Sequence, residues 1–285
     1  MTWHLTYDVE EFRREADAYL TADPAGSTAL ISVSEALRRH GPDLYGHSGG
    51  HPVRFGWWRA HRDAPVEAAF LHTPPRAPLF GPASPDHARE LARTLRADGA
   101  AHVTGVKGPD APARAFAGEW AGPGGWTVTG RFRLFRLGEL TPPDPAPPGQ
   151  ARPATEDDVP PAAAWMKSFA ADIGEDPDAD WTANVARRVA DGCLHLWETG
   201  GTPVSMAART PVLAGQSRLS PVYTPPALRG RGYAGAVTCA VSRSALDAGA
   251  EQVLLFTDLA NPTSNALYQR LGYRALADHA QVDFS

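Results

Sequence analysis

The residues best suited to chemistry lie between Pro221 and Tyr273. An extended stretch ends at Val222-Tyr223-Thr224, and Arg229-Gly230-Arg231-Gly232-Tyr233-Ala234 then opens a helix. Glycines let a backbone turn tightly and approach a ligand closely. The first-turn N–H groups of a helix have no partner within it. Together with the helix dipole, and with a nest of successive amides, they favour phosphate. Arg229 and Arg231 add positive charge. This is not a P-loop, because no Lys-Ser/Thr pair follows. Nor is it a dinucleotide fingerprint: the third glycine is missing, and Asp258 comes too late to meet a ribose.

One helix and one strand later stands Asn261-Pro262-Thr263-Ser264-Asn265-Ala266-Leu267-Tyr268-Gln269-Arg270-Leu271-Gly272-Tyr273, with Tyr268 36 residues beyond Gly232. Arg-x-x-Gly-x-Ala at a strand-to-helix turn, then Asn-x-x-Ser-x-x-Leu-Tyr-x-x-x-Gly-Tyr, resembles the GNAT superfamily of acetyl-CoA-dependent N-acyltransferases. Ala234 is an accepted variant of the last glycine, and Ser264 replaces the usual alanine. The resemblance implies an α+β fold, each domain a mixed, mostly antiparallel central sheet flanked by helices. It implies acetyl-CoA as cosubstrate, no metal, and a primary amine of a small molecule as acceptor. Gly230 to Ala234, with Arg229 and Arg231, would hold the CoA pyrophosphate. Val222, Tyr223 and Thr224 would pair with the pantetheine amides. Asn261 and Asn265 would face the pantetheine arm, and Tyr268 would sit at the thioester sulfur. The same motifs suit a longer acyl-CoA or a carrier-protein thioester, and a non-catalytic CoA sensor or scaffold would keep the donor motifs alone.

In thioester aminolysis an amine attacks and a thiolate leaves. An ordinary tyrosine titrates about 1.5 units above a thiol, so full proton transfer is uphill by roughly 2 kcal/mol. A hydrogen bond to the developing thiolate avoids that cost. An alkyl amine at pH 7 must also lose a proton, at a cost of about 4 kcal/mol, so a base or a water relay is expected. Family members often place a glutamate on the strand before the turn. Here that strand reads Ser217-Arg218-Leu219-Ser220-Pro221-Val222-Tyr223, without a carboxylate. Glu198 and Asp258, each near a strand end, are the candidate bases, with Tyr223 or Ser220 acting through water as alternatives. The acidic stretch Asp172-Ile173-Gly174-Glu175-Asp176-Pro177-Asp178-Ala179-Asp180-Trp181 could draw in a cationic amine.

These residues need elements to position them. The chain has 285 residues, enough for one large domain or two. Five prolines fall within 141–150, a stretch that can be neither helix nor central strand. The division is therefore placed there: 1–140, a linker at 141–150, and 151–285. In the second half helices are expected at 156–173, 180–191, from Gly230 to about Asp247, and from Pro262 to Gly272. Strands are expected at 194–198, 204–208, 219–224 and 253–257, with one or two more over 273–284. The first half repeats much of that order, with helices at 9–20, 27–39 and 84–98 and strands at 53–59, 66–72 and 127–136. Pro65-Val66-Glu67-Ala68-Ala69 is similar to Pro203-Val204-Ser205-Met206-Ala207. Gly99-Ala100-Ala101-His102-Val103 is similar to Gly249-Ala250-Glu251-Gln252-Val253. Matches in the same order point to a duplicated domain. The first half has Leu79-Phe80-Gly81-Pro82-Ala83-Ser84-Pro85 where the glycine turn should be, and no Leu-Tyr. It is read as a copy without CoA motifs.

Other classes are set aside on composition. The net charge is −5, and Lys107 and Lys167 are the only lysines, so no basic tract invites nucleic acid. No run approaches the ~20 apolar residues of a membrane span. The opening residues lack the basic and apolar regions of a signal peptide. With Cys193 and Cys239 forming no disulfide framework, a cytoplasmic protein is expected, monomer or homodimer. His47 and His51 are spaced by glycines, a poor zinc pair. No hydrolase elbow of the Gly-x-Ser-x-Gly kind is present. Phe55-Gly56-Trp57-Trp58 reads as strand core, with ligand stacking as the other possibility.

Overall fold

A computed structural model describes residues 2–45, 51–100 and 102–285. His47 of the histidine pair lies outside the described residues. The chain runs β1 (Thr2–Thr6), α1 (Val9–Ala22), α2 (Thr28–His40), β2 (Arg54–Arg59), β3 (Ala68–His72), β4 (Leu79–Phe80), α3 (Pro85–Ala97), β5 (Gly105–Pro109), α4 (Asp110–Ala121) and β6 (Trp126–Leu137). It continues β7 (Gln150–Pro153), α5 (Val159–Asp172), α6 (Trp181–Ala190), β8 (Leu194–Thr199), β9 (Thr202–Arg209), β10 (Gln216–Tyr223), α7 (Tyr233–Asp247), β11 (Gln252–Asp258), α8 (Pro262–Arg270) and β12 (Tyr273–Phe284). The two halves show one and the same order, β-α-α-β-β-β-α-β-α-β. The duplication suggested by two short sequence matches is thus present in every element. In each half the sixth element and the eighth are a parallel strand pair, β4 with β5 and β10 with β11.

Residues group into two compact units. The first holds Met1–Leu134, Asp258–Ala260 and Leu276–Ser285; the second holds Phe135–Thr257 and Asn261–Ala275. Both β6 and β12 therefore contribute to both units. In the first unit the strand order is β1-β2-β3-β4-β5-β12, and β12 pairs antiparallel with β5 from His279↔Pro109 to Asp283↔Gly105. In the second the order is β11-β10-β9-β8-β7.

Local chemistry sets the helix starts. Asp8 accepts from the Glu10 and Glu11 N–H groups to cap α1, and Phe12, Ala16 and Leu20 form its buried stripe. Ser84 caps α3 with Pro85 at its first position. The first unit's core gathers Trp3, Phe70, Leu91 and Phe116 with Val282 of β12. Phe55, Trp57 and Trp58 are all buried, Phe55 stacking on Phe12 at 5.1 Å and the Trp58 indole donating to Glu90 at 3.0 Å. They are strand core and are not open to stack on a ligand. The second unit has one cluster on the α7 and α8 side, with Val237, Val241, Leu255 and Tyr273, and another under α5 and α6, with Met166, Val185 and Leu196.

The stretch 141–149 contains no helix or strand, and β7 begins at Gln150, one residue inside the expected linker. Residues 273–284 form a single long strand. Five elements were absent from the sequence reading: β1, β4, β5, β7 and α4.

Three imidazoles stack in the first unit, His51 on His102 at 3.9 Å and His72 on His102 at 5.2 Å. Burial pushes the His72 pKa down to about 4, and repulsion from His102, Arg54 and His51 adds to it. Unfolding lets this ring regain its ordinary value of 6.5. Between the two values the unfolded chain binds more protons, so stability falls as pH drops from 6.5 to 4. Thermal melts across that range should show the loss, of the order of 2–3 kcal/mol for this group. His72→Gln should flatten the curve there, and an unchanged slope would assign the loss to other groups.

Candidate functional site

The second unit brings the donor motifs to one end of its sheet. Strands β10 and β11 pair from Gln216↔Gln252 to Leu219↔Leu255, and the ladder stops there. Against β9 the register of β10 slips between Leu219 and Val222, a β-bulge. Pro221 lies in that bulge and has no N–H to offer a neighbouring strand. The two parallel strands therefore part, and Val222-Tyr223-Thr224 forms one edge of the opening. Ser205, fully buried on β9, donates to the Tyr223 carbonyl at 3.0 Å and lies 2.8 Å from the Thr224 hydroxyl.

The glycine turn follows. Gly230 and Gly232 have φ of +78° and +84°, left-handed values that glycine adopts freely. Gly232 is the N-cap of α7, and no side chain caps that helix. The first-turn N–H groups are accordingly left to water or a ligand. Arg229 is engaged with the protein itself. Its Nε donates to the Thr224 carbonyl at 2.9 Å and its Nη2 to Asp172 at 2.8 Å, with the guanidinium 5.8 Å from the centre of the Tyr223 ring. Arg231 is exposed and donates to the Ala227 carbonyl at 3.3 Å.

Helix α8 presents the third group. Asn261 caps it, accepting from the Ser264 N–H at 3.0 Å, and Pro262 occupies the first turn. The Asn265 amide donates to the Asn261 carbonyl at 2.7 Å. Both asparagines thus have work within the helix start. Tyr268 is buried against the α7 side of the core, its ring edge-on to Tyr273 at 6.0 Å. Burial pushes its phenol up to about 12.

The carboxylates expected to serve as bases are placed differently from one another. Glu198 accepts from Arg152 Nε at 2.6 Å, and the same guanidinium grips Asp158 through Nη1 and Nη2 at 2.6 and 2.9 Å. That fork holds the Asp158 carboxyl down to about 2. Through the pairings Glu198↔Pro203 and Tyr223↔Met206, Glu198 stands two strands from the opening, roughly 10 Å sideways. Asp258 is the last residue of β11, its Oδ1 accepting from the Ala260 N–H at 2.8 Å. Ser220 is exposed, and its carbonyl accepts from Arg188. The acidic stretch is largely used up by its own loop: Asp172 pairs with Arg229, Asp178 with Lys167, and Asp180 caps α6. Trp181 donates to the Asp176 carbonyl at 3.2 Å.

One feature had no motif to announce it. The first unit contains a cleft of about 190 Å³ lined by Asp110, Arg131, Leu259, Asp278 and His279. Burial pushes His279 down to about 4, so its imidazole is neutral at pH 7. Among the described residues no group of three histidine, cysteine or acidic side chains could hold a metal, and no helix is long and apolar enough to cross a membrane.

Removing Arg152 should expose the value of its fork. Arg152→Met leaves Asp158, 6% exposed, without its guanidinium. The depressed carboxyl sets an upper bound of about 2 kcal/mol on the loss at pH 7, since the Thr155 N–H and hydroxyl still donate to it. Because the folded Asp158 pKa is depressed, that stabilisation is present above about pH 4 and vanishes as pH falls towards 2. Denaturant titrations of both proteins at several pH values should therefore converge on acidification.

Comparison with known proteins agrees with this geometry. The family model for FR47-like protein matches residues 199–282, the span holding the opening, the turn and Tyr268. No curated protein matches the chain. A solved Drosophila protein is 15% identical with a TM-score of 0.68, covering 99% of this chain and 98% of that one. A GNAT-family acetyltransferase from Colwellia psychrerythraea is 12% identical with a TM-score of 0.58, covering 100% and 99%. A GCN5-related N-acetyltransferase from Kribbella flavida is 20% identical with a TM-score of 0.56, covering 76% and 86%. The resemblance first drawn from two sequence motifs is borne out at the level of architecture, and the chain has the α+β fold of the GCN5-related N-acetyltransferases, with two such domains in tandem.

Proposed function

We propose that the protein transfers an acetyl group from acetyl-CoA to a primary amine of a small molecule, by direct attack of the amine on the thioester. The observation that carries this reading is the parting of β10 from β11 beside an uncapped helix start. The opening suits an extended pantetheine arm, and the open N–H groups of α7 suit its pyrophosphate. The Tyr223 carbonyl is turned towards β9 by Ser205. Neighbouring strand residues direct their backbone groups to opposite edges, which favours Val222 as the partner of a pantetheine amide. Charge on the phosphates would be met by Arg231, since Arg229 is held by Asp172 and Thr224.

Tyr268 acts as a hydrogen-bond donor to the departing sulfur. With its phenol at about 12 it lies ~3.5 units above an ordinary thiol, so full transfer would cost roughly 5 kcal/mol. A neutral donor in a buried site stabilises developing charge without that penalty. Glu198 is two strands from the opening and held by Arg152, which disfavours it as the base and leaves Asp258 as the other candidate.

The donor site is assigned to the half 151–285, with 141–150 as the boundary and 1–140 as the copy without donor binding. In the first half the corresponding helix start is closed by its own side chains. Ser84 accepts from the His87 N–H at 3.1 Å, and Tyr19 donates to the Pro82 carbonyl.

Calorimetry with CoA and acetyl-CoA should give one site per chain, lost in Gly232→Trp while the melting profile persists. Absence of binding to the wild type would remove the donor-site reading, and binding without turnover over an amine library would favour a CoA sensor. Tyr268→Phe should lower kcat by about 10- to 100-fold. The wild-type kcat profile should show no alkaline limb from this phenol below about pH 10. A loss of a million-fold, or a limb near pH 8, would contradict the donor role.

A further inference from the structure

We infer that the proline-rich segment Thr141–Pro148 is a fixed wall of the donor site and discriminates donors by their nucleotide end. The inference rests on reading the start of α7 as the phosphate site. The segment is clamped on entry. Gly138 N–H donates to the Gly272 carbonyl at 3.0 Å, and Thr141 N–H to the Leu271 carbonyl at 3.1 Å. Gly272 has φ +97°, and a Cβ there would lie 1.8 Å from the Glu139 carbonyl oxygen, so only glycine admits this approach.

It is clamped again on exit. The Pro148 carbonyl accepts from the Trp197 indole at 3.0 Å and from the Thr199 hydroxyl at 2.8 Å. Gly149 has φ +116°, and a Cβ there would meet the Glu198 carbonyl oxygen at 2.2 Å. With both ends fixed, the course between them is set.

That course follows the first turn of α7. The Pro147 ring would stand 3.5 to 3.7 Å from a Cβ on Gly232, and the Pro143 ring 3.6 Å from one on Gly235. Two glycines thus leave room for two prolines. Residues 142, 143, 145, 147 and 148 are all proline, so the segment has few N–H groups with which to bind phosphate. What it offers is apolar ring surface and restricted motion. Beside a phosphate site the part of a CoA thioester suited to such a surface is the flat nucleotide base, not the polar arm. The arm lies along Val222-Tyr223-Thr224, beyond this wall's reach in the same reading. The segment should therefore matter to a donor that carries the nucleotide and not to one that lacks it.

The test compares acetyl-CoA with S-acetylpantetheine on the full chain, as wild type, as the double variant Pro143→Ala with Pro147→Ala, and as Trp197→Phe. Calorimetry would give the Kd for CoA, and initial rates the KM for each donor. The double variant should bind CoA about 10-fold more weakly with the KM for S-acetylpantetheine unchanged. Trp197→Phe keeps an aromatic ring but removes one of the two donors to the Pro148 carbonyl, and should shift CoA affinity in the same direction by a smaller factor. Unchanged or tighter CoA binding would overturn the inference, tighter binding marking a cover instead of a wall. An equal loss for both donors would also overturn it, since the segment would then only support the fold. Failure of the wild type to bind CoA at all would instead bring down the donor-site reading, and this wall with it.

Discussion

The separation of two parallel strands is the constraint on which the second unit's site depends. A parallel ladder closes by default, because each unpaired backbone group in a buried sheet costs free energy. Here the closing is prevented locally. The bulge between Leu219 and Val222 shifts the register against β9, and Pro221 withdraws an N–H at the same place. Neither device weakens the lower part of the sheet, where four residue pairs from Gln216↔Gln252 to Leu219↔Leu255 remain in register. The opening is thus rigid at its base, and the backbone groups freed above it become available to a ligand. Ser205 holds the Tyr223 carbonyl on the β9 side, away from the opening.

Electrostatics in the same unit is arranged mainly to hold backbone in place. Arg152 joins β7 to β8 through Glu198 and reaches Asp158 at the start of α5. Arg229 ties the end of β10 to Asp172 at the end of α5. Both residues could be mistaken in sequence for ligand-facing charges. Exposed pairs of the second kind contribute little to stability, about 0–1 kcal/mol, so the service of Arg229 is geometric: it fixes the Thr224 carbonyl and lies against the Tyr223 ring. The positive character left for an anion comes from backbone N–H groups and from Arg231.

Much of this was legible in the residues, and the failures have physical causes. Helices with a strong cap and a spaced apolar stripe, such as α1 and α3, were placed within two residues. The donor motifs found each other because a strand, a helix and a loop impose a fixed chain distance. β4 was missed because it has two residues, and β5 because Gly-Val-Lys-Gly-Pro carries no alternating pattern. α4 was obscured by Pro112, which the first turn of a helix tolerates. The stretch 141–149 was rightly denied regular structure, but its composition suggested a spacer. What makes it a clamped strap is the approach of Gly272 to Glu139 and of Gly149 to Glu198, contacts between residues far apart in sequence. The partners of Arg229 and Glu198 were hidden for the same reason.

Duplication would let one copy carry the proposed chemistry alone. Each half must start its seventh element, a helix, directly after a strand, and every such start leaves N–H groups without partners. There are two ways to satisfy them. In the first half Ser84 caps α3, His87 reaches back to the Ser84 N–H, and Pro85 removes one donor altogether. In the second half Gly232 supplies the turn and no cap, leaving the same groups open. The first solution adds stability and leaves fewer open N–H groups for an anion. The second gives up a cap, typically about 1 kcal/mol, and leaves its N–H groups open to the proposed anion. A single domain must choose between these ends, whereas a tandem chain holds one helix start of each kind.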